Sequence, residues 1–274
     1  MTNSGLIFNI ILLIIIGLFV LRLVYRFVEQ YYAESKKKPL ILNFILFKKT
    51  LSKEQVRILE KQFTFYRRLS YKEQLLFKHR VAKFINSKSF YGRDGIELTD
   101  EIIVLISATA VKLTFGFRDY SISILKTILV YPEAFYSKIN DQLHKGEVNP
   151  MLGVLALSWK DFKHGYDIDN DNLNLGVHEF GHAIHLNSFK NNDISSVIFR
   201  DGFKALKMYL KENQNKRQQL LSIKYFREYA YTNEYEFMAV LIECFIETPH
   251  EFKSKFPKIY KYVKEMLNFN FANY

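Results

Sequence analysis

Apolar and polar positions divide the chain into one nearly unbroken hydrophobic stretch and a longer, patterned remainder. Leu6–Val24 reads L-I-F-N-I-I-L-L-I-I-I-G-L-F-V-L-R-L-V, interrupted only by Asn9 and Arg22. Nineteen helical residues rise roughly 28 Å, close to the hydrocarbon thickness of a bilayer. A helix without a polar face does not suit the surface of a soluble domain, so residues 1–28 read as a transmembrane anchor. Met1–Gly5 carries no basic side chain and no small-residue cleavage site follows the run, which argues against a removed signal peptide. Residues 29–50 read as a juxtamembrane linker: Glu29–Pro39 is charged, and Ile41–Lys48 is apolar and then basic, as suits a membrane interface.

Helical spacing begins at Ser52, a capping residue ahead of Lys53-Glu54-Gln55, with Val56, Leu59, Phe63 and Leu69 recurring on one face. A second helix is expected over about Lys72–Ser87, with Leu75, Leu76, Val81 and Phe84 inward. Tyr91–Gly95 reads as a turn, and a third helix starts at Thr99 and stays apolar through Ile102–Leu113. Ile124–Tyr131 is rich in branched residues, is ended by Pro132 and reads as a strand; Met151–Trp159 reads as another. Asp167–Asn172 lacks the glycine and terminal glutamate of a calcium loop and reads as a polar connection. Further helices are expected at Leu175–Asn187, Val197–Leu210, Gln218–Tyr231, Asn233–Glu247 and His250–Leu267. The pattern predicts a mostly helical α+β domain over residues 51–274.

Composition changes this picture in two respects. The formal charge is +11 over 274 residues, but the basic residues are scattered and form no nucleic-acid-binding motif. The charge therefore reads as proximity to an anionic membrane surface, with no nucleic-acid partner. Arg22, Arg26 and Lys36–Lys38 follow the span, and the positive-inside rule puts the C-terminal domain in the cytoplasm of a single-pass inner-membrane protein. Cys244 is the one cysteine, so no intrachain disulfide forms; it reads as a small buried apolar residue.

The chemistry lies in L-G-V-H-E-F-G-H-A-I-H-L-N, residues 175–187. His178 and His182 are four apart, so a helix puts both imidazoles on one face, within reach of one Zn2+. Glu179, beside the first ligand, is placed to take a proton from a metal-activated water and return it to a leaving amine. This is the chemistry of a zinc peptidase, in which Met151–Trp159 would be the edge strand that holds substrate by strand addition. Gly181 permits close packing at the metal helix. Zinc needs another protein ligand, and the helix Asn233–Glu247 offers Glu234, Glu236, Glu243 and Glu247.

Five segments carry a resemblance: K-S-F-Y-G-R-D-G-I-E-L-T-D-E (88–101), I-L-V-Y-P-E-A-F (128–135), L-A-L-S-W-K-D (155–161), N-L-G-V-H-E-F-G-H (174–182) and Y-A-Y-T-N-E-Y-E-F-M-A-V-L-I-E-C-F-I-E-T-P (229–249). In these, from about Leu51 to the C-terminus, the chain resembles the MtfA-like zinc metallopeptidases, typified by the Mlc titration factor. The resemblance implies a zincin-like, gluzincin-type domain with His-His-Glu ligation, and carries the third ligand to Glu236 in E-Y-E-F-M-A-V. It carries a catalytic tyrosine to Tyr229, seven residues earlier, which could donate a hydrogen bond to the oxyanion. It also implies aminopeptidase-like activity on a peptide or protein substrate. Glu234-Tyr235 replace the family's usual Pro-Ala, and His185 stands where the family has an aspartate. Glu243, His185 and Asn174 are candidates for contacts that support the ligands. The membrane anchor is not typical of the family. A rival reading is a zinc-containing regulatory protein that sequesters a transcriptional regulator at the membrane; Glu179, which a purely structural zinc site does not need, favours the enzyme.

Overall fold

The first element, helix α1 (Asn3–Lys36), continues eight residues past the expected end of the anchor. The computed structural model describes residues 3–42, 45, 47–137, 141–168, 170–222 and 225–274, so parts of the Ile41–Lys48 and Asp167–Asn172 readings lie outside the described residues. No proline or glycine interrupts α1 between Gly17 and Lys36, and its last turns find partners in the domain. Glu29 pairs with Arg118, and Ala33 is buried with Ile194 and Ile198. The apolar part of α1 is exposed throughout, and the helix is long and apolar enough to cross a membrane.

Helix α2 (Lys53–Gln62) starts with both halves of a capping box. Gln55 N donates to Ser52 Oγ and Ser52 N to Gln55 Oε1, each at 3.1 Å. Helices α3 (Thr64–Arg68) and α4 (Tyr71–Ser87) follow, and Thr99 caps α5 (Asp100–Leu113). Nearly every residue of α5 from Ile102 on is buried, so it forms the axis of the core against α2, α4 and the metal helix. Arg80 of α4 is buried at its C-terminal end. There it donates to Thr114 O at 3.2 Å and Phe115 O at 2.9 Å, a cation at the negative pole of the helix.

Four strands form one sheet in the order β1 (Ser89–Gly92), β2 (Thr127–Tyr131), β6 (Val154–Ser158), β5 (Gly146–Asn149). The first three are parallel, and β5 runs antiparallel to β6 with Gly146 opposite Leu157. Strands β3 (Phe135–Ser137) and β4 (Gln142–His144) make a separate hairpin. Two expectations are corrected here. The turn expected over Tyr91–Gly95 is confined to its later residues: Tyr91 and Gly92 belong to the strand Ser89–Gly92, which is too short to show alternation and is created by pairing with β2. Met151–Trp159 is not an edge: only Val154–Ser158 is extended, and it lies between β2 and β5. Its continuous apolar run is that of a strand buried on both sides, and the edge belongs to the more polar Gly146–Asn149.

Ser158 caps α6 (Trp159–Asp167), after which come α7 (Leu175–Lys190), α8 (Ile194–Glu212) and α9 (Gln214–Ser222). The helix expected at Gln218–Tyr231 is split between the end of α9 and a 3-10 turn, Glu228–Tyr231; residues 223 and 224 lie outside the described residues. Helix α10 (Glu234–Glu247) ends as expected, but the final helix is two, α11 (Pro249–Lys255) and α12 (Pro257–Met266). Pro257 has no N–H to continue the ladder and forces Phe256 out of helical geometry, to φ −135° and ψ 61°. The result is a mostly helical α+β domain.

Candidate metal centre

Helices α7 and α10 pack closely because Gly181 faces Ala239: a methyl at Gly181 would already stand 3.4 Å from the Ala239 Cα. Caps set the start of each helix. Asn174 Oδ1 accepts from Val177 N at 3.0 Å, and Asn233 Oδ1 accepts from Tyr235 N at 2.9 Å and Glu236 N at 3.0 Å. These starts bring His178 and His182 on one helix to Glu236 on the other. His178 Nε2 and His182 Nε2 are 3.0 Å apart, and Glu236 Oε2 is 3.1 and 3.4 Å from them. The three side chains are mostly buried, 12–15% exposed.

These distances fit a divalent cation. Three ligands about 2.05 Å from a tetrahedral metal lie about 3.3 Å from one another. Glu236 Oε2 is buried and makes no hydrogen bond of good geometry, although two imidazole nitrogens stand beside it. An orphaned acceptor beside two imidazole nitrogens is what a cation between them would satisfy, and the His178–His182–Glu236 cluster could bind a metal ion. Electrostatics agree. Burial disfavours a charged His178, yet Glu236 and Glu243 outweigh it and push its pKa up to about 10. Burial raises the Glu236 carboxyl, but contacts with His178 and His182 hold it well below the usual carboxylate range. The pocket favours positive charge.

Glu243, fully buried on α10, hydrogen-bonds His178 Nδ1. That contact holds the Nδ1 proton, so Nε2 is the nitrogen directed into the triangle, and it would ligate a metal on giving up its own proton. Arg227 donates from Nη2 to both oxygens of Glu243, at 2.7 and 2.6 Å, and so gives this buried carboxylate a cationic partner. Nothing in the sequence pattern singled out Arg227; it precedes a short 3-10 turn and meets Glu243 only in space.

Glu179 is 6% exposed, and burial, opposed by His178 and His182, raises its pKa. It lies against the edge strand: a Cβ on Gly146 would come within 2.5 Å of Glu179 Oε1 and 2.6 Å of its Cδ and Cγ. Gly146 is thus a second residue that the sequence did not reveal. A cleft of about 370 Å³ opens here, walled by Gly146, Glu179, His178, Arg227, Tyr229 and Leu143 of the hairpin. Tyr229, on the 3-10 turn, has its ring 6.2 Å from His178. Burial, with Glu236 and Glu179 nearby, lifts its hydroxyl up to about 12, so it stays a protonated donor at neutral pH.

Two expected supports lie elsewhere. His185 is turned from the triangle into an aromatic cluster, with its ring 4.7 Å from Phe203 and 4.9 Å from Tyr235. Neither ring nitrogen has a hydrogen-bond partner among the described residues. Three residues from His182 falls about 60°, a sixth of a turn, short of full alignment, and Phe199 and Phe203 of α8 close over that side. The Asn174 side chain bonds none of the three triangle residues; its Nδ2 donates to Gly165 O at 2.6 Å and Glu247 Oε1 at 2.9 Å, tying the start of α7 to α6 and α10.

A family model described as glucose-regulated metallopeptidase M90 matches residues 34–267. An uncharacterized protein of Synechocystis is 26% identical over 234 residues, covering 80% of this chain and 85% of the relative.

Proposed function

The chain belongs to the M90 family of glucose-regulated metallopeptidases, the MtfA-like family its segments resemble, and from that premise we propose that it is a zinc-dependent peptidase. The triangle of His178, His182 and Glu236 carries this reading, because its spacing is that of three ligands around one small cation. Bound there, Zn2+ would supply Lewis-acid activation of water and of the substrate carbonyl.

The remaining steps fall to protein groups. Glu179, raised by burial, accepts a proton from the attacking water and passes it to the departing amine. Tyr229 donates its hydroxyl to the developing oxyanion. Glu243 and Arg227 hold the His178 ring in its ligating tautomer. The substrate backbone would lie along β5. Ser158 N donates to Lys145 O at 2.7 Å, so Lys145, Glu147 and Asn149 face β6. By alternation Gly146 and Val148 turn their amides outward, beside Glu179. A zincin-type arrangement, aminopeptidase-like cleavage, and anchoring by α1 with the domain on the cytoplasmic side complete the proposal. The exposed apolar length of α1 and Lys36–Lys38 after it support the anchoring.

The test is a digest of a peptide library by the full chain in detergent, wild type against Glu179→Gln. Metal content should be equal in both, and hydrolysis should fall at least 10³-fold in the variant. Undiminished turnover by Glu179→Gln would refute Glu179 as the base, and no hydrolysis by the metal-loaded wild type would return the chain to the regulatory reading.

A further inference from the structure

A cavity of about 630 Å³ lies behind α7, within the size range of small-molecule sites. Val177 lines it while Glu179 lines the cleft; two residues apart on a helix, they point to nearly opposite faces. Asn174 borders both spaces.

Glu247, at the end of α10, is chemically incomplete on this cavity. Its Oε1 accepts from Asn174 at 2.9 Å, but Oε2 is buried with no hydrogen-bond partner among the described residues. An acceptor kept from water in this way is destabilising unless a donor reaches it. Burial is the main cause that moves its carboxyl up to about 7, and Lys112 acts in the opposite direction. Lys112 lines the same cavity, its ammonium 5.6 Å from the Phe65 ring centroid and 5.5 Å from that of Tyr274. Phe63 and Tyr166, stacked at 6.0 Å, add an apolar wall.

The cavity therefore presents an acceptor without a donor, the cations of Lys112 and Arg68, and aromatic faces. A bare amine would leave Lys112 unused, and a bare carboxylate would leave Glu247 Oε2 unsatisfied. We infer that this cavity binds a free amino acid or dipeptide, with its ammonium on Glu247, its carboxylate on Lys112 and its side chain among Phe63, Phe65 and Tyr166. Through Asn174 the ligand would brace the capped first turn of α7, one turn ahead of His178. If the chain hydrolyses peptides, this ligand is the chemical class of its product; that corollary alone rests on the function proposed above.

The experiment uses the metal-loaded full chain in detergent, with L-phenylalanine, phenylethylamine and phenylpropionate as probes in calorimetry and thermal melts. L-phenylalanine should bind and raise the melting temperature, each half-molecule binding at least tenfold more weakly. Glu247→Gln, which keeps the acceptor for Asn174, should weaken L-phenylalanine at least tenfold with metal content unchanged. Lys112→Met should do the same and serves if the first variant does not fold. The inference is overturned if no probe binds, if both variants bind like wild type, or if stripping the metal abolishes binding, which would put the ligand in the cleft. Binding without hydrolysis would sink only the proposed enzyme, and hydrolysis without binding only this site.

Discussion

Adding a single methyl group, Gly146→Ala, tests how the edge strand and the proposed base fit together. Gly146 does not have a positive φ, so its backbone accepts alanine without strain. The obstacle is steric: the new Cβ would stand 2.5–2.6 Å from Glu179 Oε1, Cδ and Cγ. Relaxed contact requires about 3.5 Å, so the carboxylate must retreat by about 1 Å. Because it is the end of a flexible side chain, folding should lose only about 1 kcal/mol, the low end of overpacking costs. Catalysis is less tolerant, since a 1 Å misplacement costs about 10²-fold, or about 2.7 kcal/mol of barrier. The assay is kcat/KM on a fluorogenic peptide, with metal stoichiometry and a thermal melt on the same preparation. A Gly146→Ala enzyme within threefold of wild type would refute the placement of Glu179 against β5. Loss of metal together with activity would refute the claim that the methyl acts on the base alone.

Other substitutions separate the remaining roles. Glu236→Ala should reduce bound metal from one equivalent to a small fraction, read by elemental analysis; full stoichiometry would move the third ligand elsewhere. Arg227→Gln leaves Glu243, fully buried, without its cation. Metal affinity should fall about 10–100-fold and be partly restored in Arg227→Lys, as competition with a chelator would reveal. His185→Leu removes two unsatisfied nitrogens from an aromatic cluster and should leave stability equal or higher. Its pH signature follows from burial, which lowers the folded pKa to about 4 from 6.5. The unfolded chain therefore takes the proton first, so stability is level above about pH 7 and declines as pH falls through 6.5. By pH 4 about 3 kcal/mol is gone. Denaturant melts of wild type should show this decline and those of His185→Leu should lack it; parallel curves would refute the assignment.

Local information was enough for much of the fold. The Ser52 capping box, the Thr99 start of α5 and the Asn233 start of α10 lie within three or four residues of the groups they bond, and each is legible in the chain. The pairing of His178 with His182 is legible for the same reason, because one helical turn joins them. Elements defined by distant partners were not. Ser89–Gly92 becomes a strand only beside Thr127–Tyr131, and Met151–Trp159 loses its expected edge position because Gly146–Asn149 adds outside it.

The amino-acid order by itself determined where the capped helices α2, α5 and α10 begin, and that two imidazoles and a glutamate share one helical turn. Tertiary structure brought Glu236, to which the family resemblance had pointed among four carboxylates, beside the two imidazoles, and decided that Arg227 sustains Glu243, that Gly146 makes room for Glu179, and that His185 faces aromatic rings. Hydrogen bonds within one turn are encoded by spacing alone. A contact between residues 33 or 65 positions apart depends on how whole helices and strands pack, and that is settled by the shared burial of their apolar faces.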